Sequence, residues 1–344
     1  MLKKLFYVLL ISLLPIFGAV VYGWHLMEEQ MHASLPLNEE RTLQVRSGTS
    51  FNQLIRQLQQ EGLVGNTELV RFYARLNPEI TAIKAGEYRL QPGQSLLQVL
   101  DRMGRGDVVR HYFTLVEGHT FRDVLLALGA DDRITQTLDE ISDEALMESL
   151  GSPDVAPEGM FLAETYQFQR HDRDVDLLRR AHRDLMAFLE QQWEARDESL
   201  PYASPYEALI MASIIEKETG VPEERAKIAG VFVRRLEIGM RLQTDPTVIY
   251  GMGDAYEGRI RRADLQRPTP YNTYTINGLP PTPISLVGRE AIVAAFNPEP
   301  GEWLYFVAKG DGTHQFSRTL QEHNAAVRQY QLNRRSDYRS SPGG

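Results

Sequence analysis

The sequence predicts an α+β protein in three parts: an apolar N-terminal helix, a small α/β module, and a larger helix-based domain carrying a short β-hairpin. Three observations lead there. Leu5 to Trp24 is a run of 20 residues without a charge, preceded by Lys3 and Lys4 and followed by Glu28 and Glu29. From Thr42 onward, short apolar strands alternate with Gly turns and capped amphipathic segments. Beyond Asp174, long runs with helical periodicity dominate, and paired short strands return only near the C-terminus.

Twenty residues at about 1.5 Å each span a hydrocarbon core of about 30 Å. The flanking charges place the N-terminus in the cytoplasm and everything after Trp24 outside. A cleaved signal peptide has the same polarity, but Gly18-Ala19-Val20-Val21 is not followed by a clear small-x-small site. The expectation is an anchor over 1–24 and a short polar stalk over 25–41.

Composition narrows the function. Of the 344 residues, 42% are apolar and 24% charged, as in ordinary globular proteins. The formal net charge is -9, and beyond Trp24 35 of the 37 basic residues stand against all 46 acidic ones. Such a surface repels phosphate backbones, so no nucleic-acid partner is expected. The absence of cysteine excludes disulfides, thiolate metal sites, a Cys nucleophile and a lipidated N-terminal Cys. No metal motif is present, and no cofactor is expected.

Val45-Arg46-Ser47-Gly48-Thr49-Ser50-Phe51 is echoed by Leu90-Gln91-Pro92-Gly93-Gln94-Ser95-Leu96 and by Leu115-Val116-Glu117-Gly118-His119-Thr120-Phe121. Each copy reads as strand, Gly turn, Ser or Thr cap, and amphipathic helix. Unequal intervals argue against a solenoid. Over 42–107 this signature resembles the LysM family, which implies a module that binds N-acetylglucosamine polymers. Structural units without sugar affinity would carry the same residues.

The larger domain is expected over 108–335, with a disordered tail at 336–344. Asp174 to Arg196 reads as an amphipathic helix with Leu177, Leu178, Ala181, Leu185, Phe188, Leu189 and Trp193 on its buried stripe. Tyr206 to Thr219 and Pro222 to Ile238 follow as helices, the second opened by Pro and by Glu223 and Glu224, which suit the dipole. The Pro-, Thr-, Tyr- and Asn-rich stretch 240–285 reads as functional loop. Trp303–Ala308 and His314–Ser317 form the expected hairpin around Gly310-Asp311-Gly312, before a last helix from Leu320 to Asn333.

The chemistry centres on Met211-Ala212-Ser213-Ile214-Ile215-Glu216-Lys217-Glu218-Thr219. Glu216 and Glu218 point about 200° apart and cannot act as a pair. Glu218 extends the aliphatic stripe of Met211, Ile214 and Ile215 into the last turn. Apolar surroundings and the negative helix end raise a carboxyl pKa, as a general acid requires near neutral pH. The alternative is that both acids form surface ion pairs with Lys217 or Arg225. Two polar segments accompany the helix: Gln243-Thr244-Asp245-Pro246 with Tyr250, and Tyr271-Asn272-Thr273-Tyr274. Tyr rings offer stacking faces and Asn bidentate amide bonds, which together suit pyranose rings and N-acetyl groups. Either segment alone could be turn chemistry.

Ala212–Thr219, Gly239–Gly251 with its Leu242-Gln243-Thr244-Asp245-Pro246-Thr247 core, Tyr271–Tyr274, Gly278-Leu279-Pro280-Pro281, Tyr305–Ala308 with His314 and Phe316, and His323-Asn324 together resemble the endolytic murein transglycosylase (YceG-like) family. The resemblance implies that Glu218 is the catalytic acid. It also implies cleavage of the β-1,4 bond between N-acetylmuramic acid and N-acetylglucosamine in peptidoglycan, leaving a 1,6-anhydro end. Gln243, Thr244, Asp245, Tyr250, Tyr271, Asn272, Thr273 and Tyr274 are the candidate substrate-binding residues. One departure stands out: in Phe161-Leu162-Ala163-Glu164-Thr165-Tyr166, Ala163 occupies a place where that family usually has Pro. A lysozyme-like hydrolase pairing Glu218 with Asp245, and a non-catalytic wall-binding scaffold, are the other readings. The expected location is the inner membrane, single-pass, with the catalytic domain in the periplasm, beside peptidoglycan synthases as possible partners.

Overall fold

The computed structural model describes residues 2–332, with side chains from Leu13 onward. Two compact units divide the chain: Met1–His111 with Gln167–Arg170, and Tyr112–Tyr166 with His171–Gly344.

The first unit opens with α1 (Leu2–His32). Among the described residues no helix is long and apolar enough to cross a membrane. Residues 5–12 of the expected span lie outside the described side chains, and the structure lends the anchor no support. The expected stalk is not a free tether. Met27, Met31 and Leu35 are buried, because the i, i+4 spacing of the two Met residues keeps an apolar edge running through the polar composition. β1 (Arg41–Val45), α2 (Phe51–Gln60), α3 (Thr67–Leu76), β2 (Gly86–Leu90) and α4 (Leu96–Arg105) follow. β1 and β2 pair antiparallel, Arg41 opposite Leu90 and Val45 opposite Gly86. Leu43, Val45, Leu54, Ile55, Tyr88, Leu100 and Met103 are among the residues that fill the core of this unit. Ser50 and Ser95 each close a capping box with the Gln three residues on, and Gly48 and Gly93 take the positive φ that the preceding turns need.

β3 (His111–Thr114) pairs with β4 (Thr165–Phe168), and the chain passes between units within these strands. In the second unit lie α5 (Phe121–Gly129), capped by Thr120 in the same box arrangement, and α6 (Asp143–Ser149). Ala163 donates its backbone N–H to the Val287 carbonyl at 2.9 Å. A proline there would have no hydrogen to give, so the departure from the family pattern adds a backbone bond.

α7 (Asp174–Glu194), α8 (Pro205–Glu218) and α9 (Pro222–Glu237) match the expected helices within two residues at nearly every end. On the stripe expected of α7, Phe188 and Trp193 are only half-buried. The stretch 240–285 is less irregular than its composition suggested. It holds α10 (Asp245–Met252), entered through Pro246 in its first turn, and the short α11 (Arg262–Gln266). α12 (Arg289–Phe296) is a helix that periodicity did not single out, and it packs against α7, α8 and α9. β5 (Tyr305–Ala308) and β6 (His314–Ser317) form the expected hairpin, Ala308 opposite His314. α13 (Leu320–Val327) ends in a π-turn over Arg328–Leu332. Asn333 and the expected tail 336–344 lie outside the described residues.

Candidate active site

α8 begins with Ser204 accepting the Glu207 N–H and Pro205 in the first turn. Every residue from Ala208 to Ile215 is buried, on all faces of the helix. The stripe expected from the sequence is therefore no stripe: α8 is a central helix enclosed by α7, α9, α10 and α12. Ser213 survives in this core because its hydroxyl donates to the Ile210 carbonyl and accepts the Ile284 N–H at 3.0 Å.

The two carboxylates at the end of α8 are consequently both enclosed, and their partners set them apart. Glu216 accepts the Gly288 N–H at 3.0 Å and faces Arg225 at 3.6 Å, with Glu290 paired to the same guanidinium. It is a buried ion-pair group, close to the structural alternative the sequence left open. Among the described residues no cation forms an ion pair with Glu218. Its Oε1 accepts the hydroxyl of Thr244. Desolvation by the surrounding protein pushes its pKa up to about 7, and the charge of Asp245 pushes the same way. The Thr244 hydrogen bond and the more distant Arg235 oppose that rise without cancelling it. The side chain keeps a partial opening, and it opens into a pocket.

That pocket has a volume of about 500 Å³. Glu218 and the segment Leu242–Asp245 form one side, and Tyr274, Phe232 and Arg235 continue the wall. Tyr305–Ala308 and His314 of the hairpin, Leu320 and His323 of α13, and Gln331 complete it. The segment before α10 is tightly held. Gln243 takes a φ of 50°, a left-handed conformation that a β-carbon makes costly. Its N–H donates to the Thr273 carbonyl at 3.2 Å, and the Thr244 N–H donates to Thr273 Oγ1 at 3.0 Å. Asp245 accepts the Tyr274 hydroxyl at 2.6 Å.

Arg235 holds this wall together from the end of α9. It is 6% exposed, and its guanidinium donates to the Leu242 carbonyl at 2.5 Å and to the Leu304 carbonyl at 2.7 Å. It also lies 5.3 Å from the Tyr305 ring centre. One side chain thus ties the Thr244 segment to the entry of the hairpin. The sequence did not single out Arg235, and nothing local marked it.

Among the predicted binding residues, Gln243, Thr244, Asp245 and Tyr274 line the pocket beside Glu218. The other four lie outside its lining. Asn272 is 1% exposed and gives its amide to the carbonyls of Asp264, Leu265 and Arg267, at 3.1, 3.2 and 2.7 Å. Thr273, fully buried, braces the Thr244 segment. Asn and Thr here carry turn chemistry, the alternative reading of that segment. Tyr271 bonds Thr282 at 2.9 Å and packs edge-on against Tyr250 at 4.8 Å. Tyr250 in turn donates to Glu158 at 3.2 Å. Glu158, unremarked in the sequence, is a second buried acid, raised to about 7 by desolvation while Phe121 N–H and Tyr250 bind it. Among the described residues no group of three His, Asp or Glu side chains could hold a metal ion.

The model of the YceG-like family matches residues 43–329. The chain belongs to the YceG-like family. An endolytic murein transglycosylase of Bacillus subtilis is 28% identical to this YceG-like protein over 332 residues, covering 91% of this chain and 90% of the relative. A protein of the same description from Streptococcus pneumoniae is 26% identical over 331 residues, covering 84% of this chain and 58% of its own length. A crystal structure of a YceG-like protein of Listeria monocytogenes superposes with a TM-score of 0.52 at 29% identity, covering 83% of this chain and 99% of that one.

Proposed function

We propose that this YceG-like protein is an endolytic murein transglycosylase in which Glu218 serves as both acid and base. The observation that carries the reading is the Glu218 carboxyl, its pKa raised to about 7 by burial, opening into a pocket built by the α10 entry segment and the β5–β6 hairpin.

Protonated Glu218 donates to the glycosidic oxygen between N-acetylmuramic acid and N-acetylglucosamine as that bond breaks. The carboxylate then takes the proton of the muramic C6 hydroxyl, whose oxygen closes on C1 to give the 1,6-anhydro end. The proton taken up replaces the one given, so Glu218 returns to its starting state without water being consumed. Thr244 steadies the carboxylate in mid-cycle by donating to Oε1. An ordinary glycosidase needs two carboxyls flanking the bond. Asp245 is the neighbouring acid, and its bond to Tyr274 suits it to shaping the pocket.

The charge-free run Leu5–Trp24, with lysines before it and acids after it, supports an inner-membrane anchor that leaves the catalytic domain in the periplasm. Anchored there, the enzyme would meet nascent glycan strands beside the synthases that extend them and would terminate their growth. The LysM-like repeat supports a glycan-binding role for the first unit.

Mass spectrometry of products from nascent, uncrosslinked peptidoglycan, with wild type and Glu218→Gln side by side, tests the proposal. Anhydro-ended fragments from wild type and none from the variant are expected. Reducing-end products would point to a hydrolase pairing Glu218 with Asp245, and intact strands with both proteins would leave a binding scaffold.

A further inference from the structure

The pocket has a second polar element, and the Glu218 chemistry makes no use of it. His314 opens β6 and lines the pocket. Glu224, in the first turn of α9, holds it at two points: Oε1 accepts the His314 backbone N–H at 2.9 Å, and Oε2 lies 2.7 Å from Nδ1. Both side chains are largely enclosed, at 8% and 14% exposure. Phe306 packs edge-on to the imidazole at 5.4 Å and Phe316 at 6.4 Å, so the ring cannot turn away.

A carboxylate only accepts, so the Nδ1 facing it carries the hydrogen. With Nδ1 committed to Glu224, Nε2 is the ring's remaining polar atom. Nε2 has no protein partner among the described residues. Glu224 thus fixes both the backbone and the ring of a residue that lines the pocket, and leaves one ring nitrogen for a further partner. The arrangement resembles the carboxylate–imidazole pairs that aim one ring nitrogen at a ligand.

We propose that His314, aimed by Glu224, is a glycan-binding residue: its Nε2 forms a hydrogen bond with a sugar hydroxyl or acetamido group of the strand bound in the Glu218 pocket. The ligand class follows from the chemistry of the site. The acids Glu218 and Asp245 in the same pocket disfavour an anionic group, and the aromatic walls of Tyr305 and Phe306 suit the apolar faces of pyranose rings. Glu224 is a positioning residue and touches no substrate. This inference rests on the glycan reading given above.

The test uses the full chain carrying Glu218→Gln, so that glycan is bound and not cut, with an uncrosslinked peptidoglycan tetrasaccharide as the probe. Adding His314→Ala is expected to weaken binding by about tenfold, the effect of losing one well-formed hydrogen bond in an enclosed site. Imidazole nitrogen NMR on the Glu218→Gln protein gives a second readout that needs no further variant. The His314 Nε2 signal should move on addition of the tetrasaccharide. Glu224→Gln should weaken that glycan-dependent movement, which a purely structural contact would not do. Unchanged affinity in the His314 variant, or an Nε2 signal indifferent to glycan, would overturn the proposal while leaving Glu218 catalysis intact. No binding by the Glu218→Gln parent itself, with wild type also leaving strands intact, would remove the glycan reading and this inference together.

Discussion

Replacing Glu218 by Gln should stabilise the protein, and by an amount that depends on pH. Burial raises the Glu218 carboxyl from 4.5 to about 7. Below pH 4.5 the group is protonated in both folded and unfolded chains and contributes nothing. Between 4.5 and 7 the folded chain keeps a proton that the unfolded chain has released, so stability falls as pH rises, and above 7 the full penalty of a buried charge is present. At 1.36 kcal/mol per unit this is about 3 kcal/mol, and the partial opening of the side chain into the pocket reduces the expectation to about 2 kcal/mol. Gln has the same shape, its oxygen can still accept the Thr244 hydroxyl, and it does not titrate. The stabilisation of Glu218→Gln relative to wild type should therefore grow by about 2 kcal/mol between pH 4 and pH 8.5. Urea denaturation of both proteins at the two pH values measures it. Other titrating groups, Glu158 among them, are common to both proteins and cancel in the comparison. A difference that stays flat with pH, or runs the opposite way, would refute the argument that burial keeps Glu218 protonated.

Thr244→Val removes the hydroxyl that favours the Glu218 carboxylate, so the alkaline limb of kcat/KM should move up by about 1 pH unit, with lower peak activity. An unmoved limb in a folded variant would show that Thr244 does not act on this carboxyl. Arg235→Lys keeps the charge but loses the fork that joins the Leu242 and Leu304 carbonyls. Activity should fall at least about tenfold, and the melting temperature should drop, since buried carbonyls lose their donors. Asp174→Ala, far from the pocket lining, should cost about 3 kcal/mol in chemical denaturation: its buried carboxylate gathers the N–H groups of Thr137, Leu138 and Val175, all of which would be orphaned. If the folded variant loses no more than a surface substitution would, water has replaced the carboxylate there.

Much of the architecture was legible because it is written in short-range terms. The capping boxes at Ser50, Ser95 and Thr120 join residues three apart, and α7, α8 and α9 announce themselves by Pro, Gly and apolar period. α12 escaped because Ala291–Phe296 is short and apolar on nearly every side, which gives no periodic contrast. Asp245–Met252 passed for loop because Pro246 and Thr247 read as turn residues, although proline also opens helices.

The site divides along the same line. Sequence alone placed two acids at the end of an apolar helix and brought out the Gln243-Thr244-Asp245 segment. The apolar stripe singled out Glu218, although α8 is apolar all round, both carboxylates are enclosed and burial raises both. What differs between them, Arg225 and the Gly288 N–H at Glu216 against Thr244 and Asp245 at Glu218, comes from other elements. The same holds for Arg235, for Glu158 and for the pairing of His314 with Glu224, 90 residues apart. Backbone propensity acts over one or two helical turns, so a sequence determines where helices and their terminal residues lie. Desolvation and hydrogen bonding act over a few ångströms of space, whatever the distance along the chain. Only the tertiary structure decides which side chains meet there, and hence which carboxyl opens into the pocket beside Thr244 and which ring is paired with Glu224.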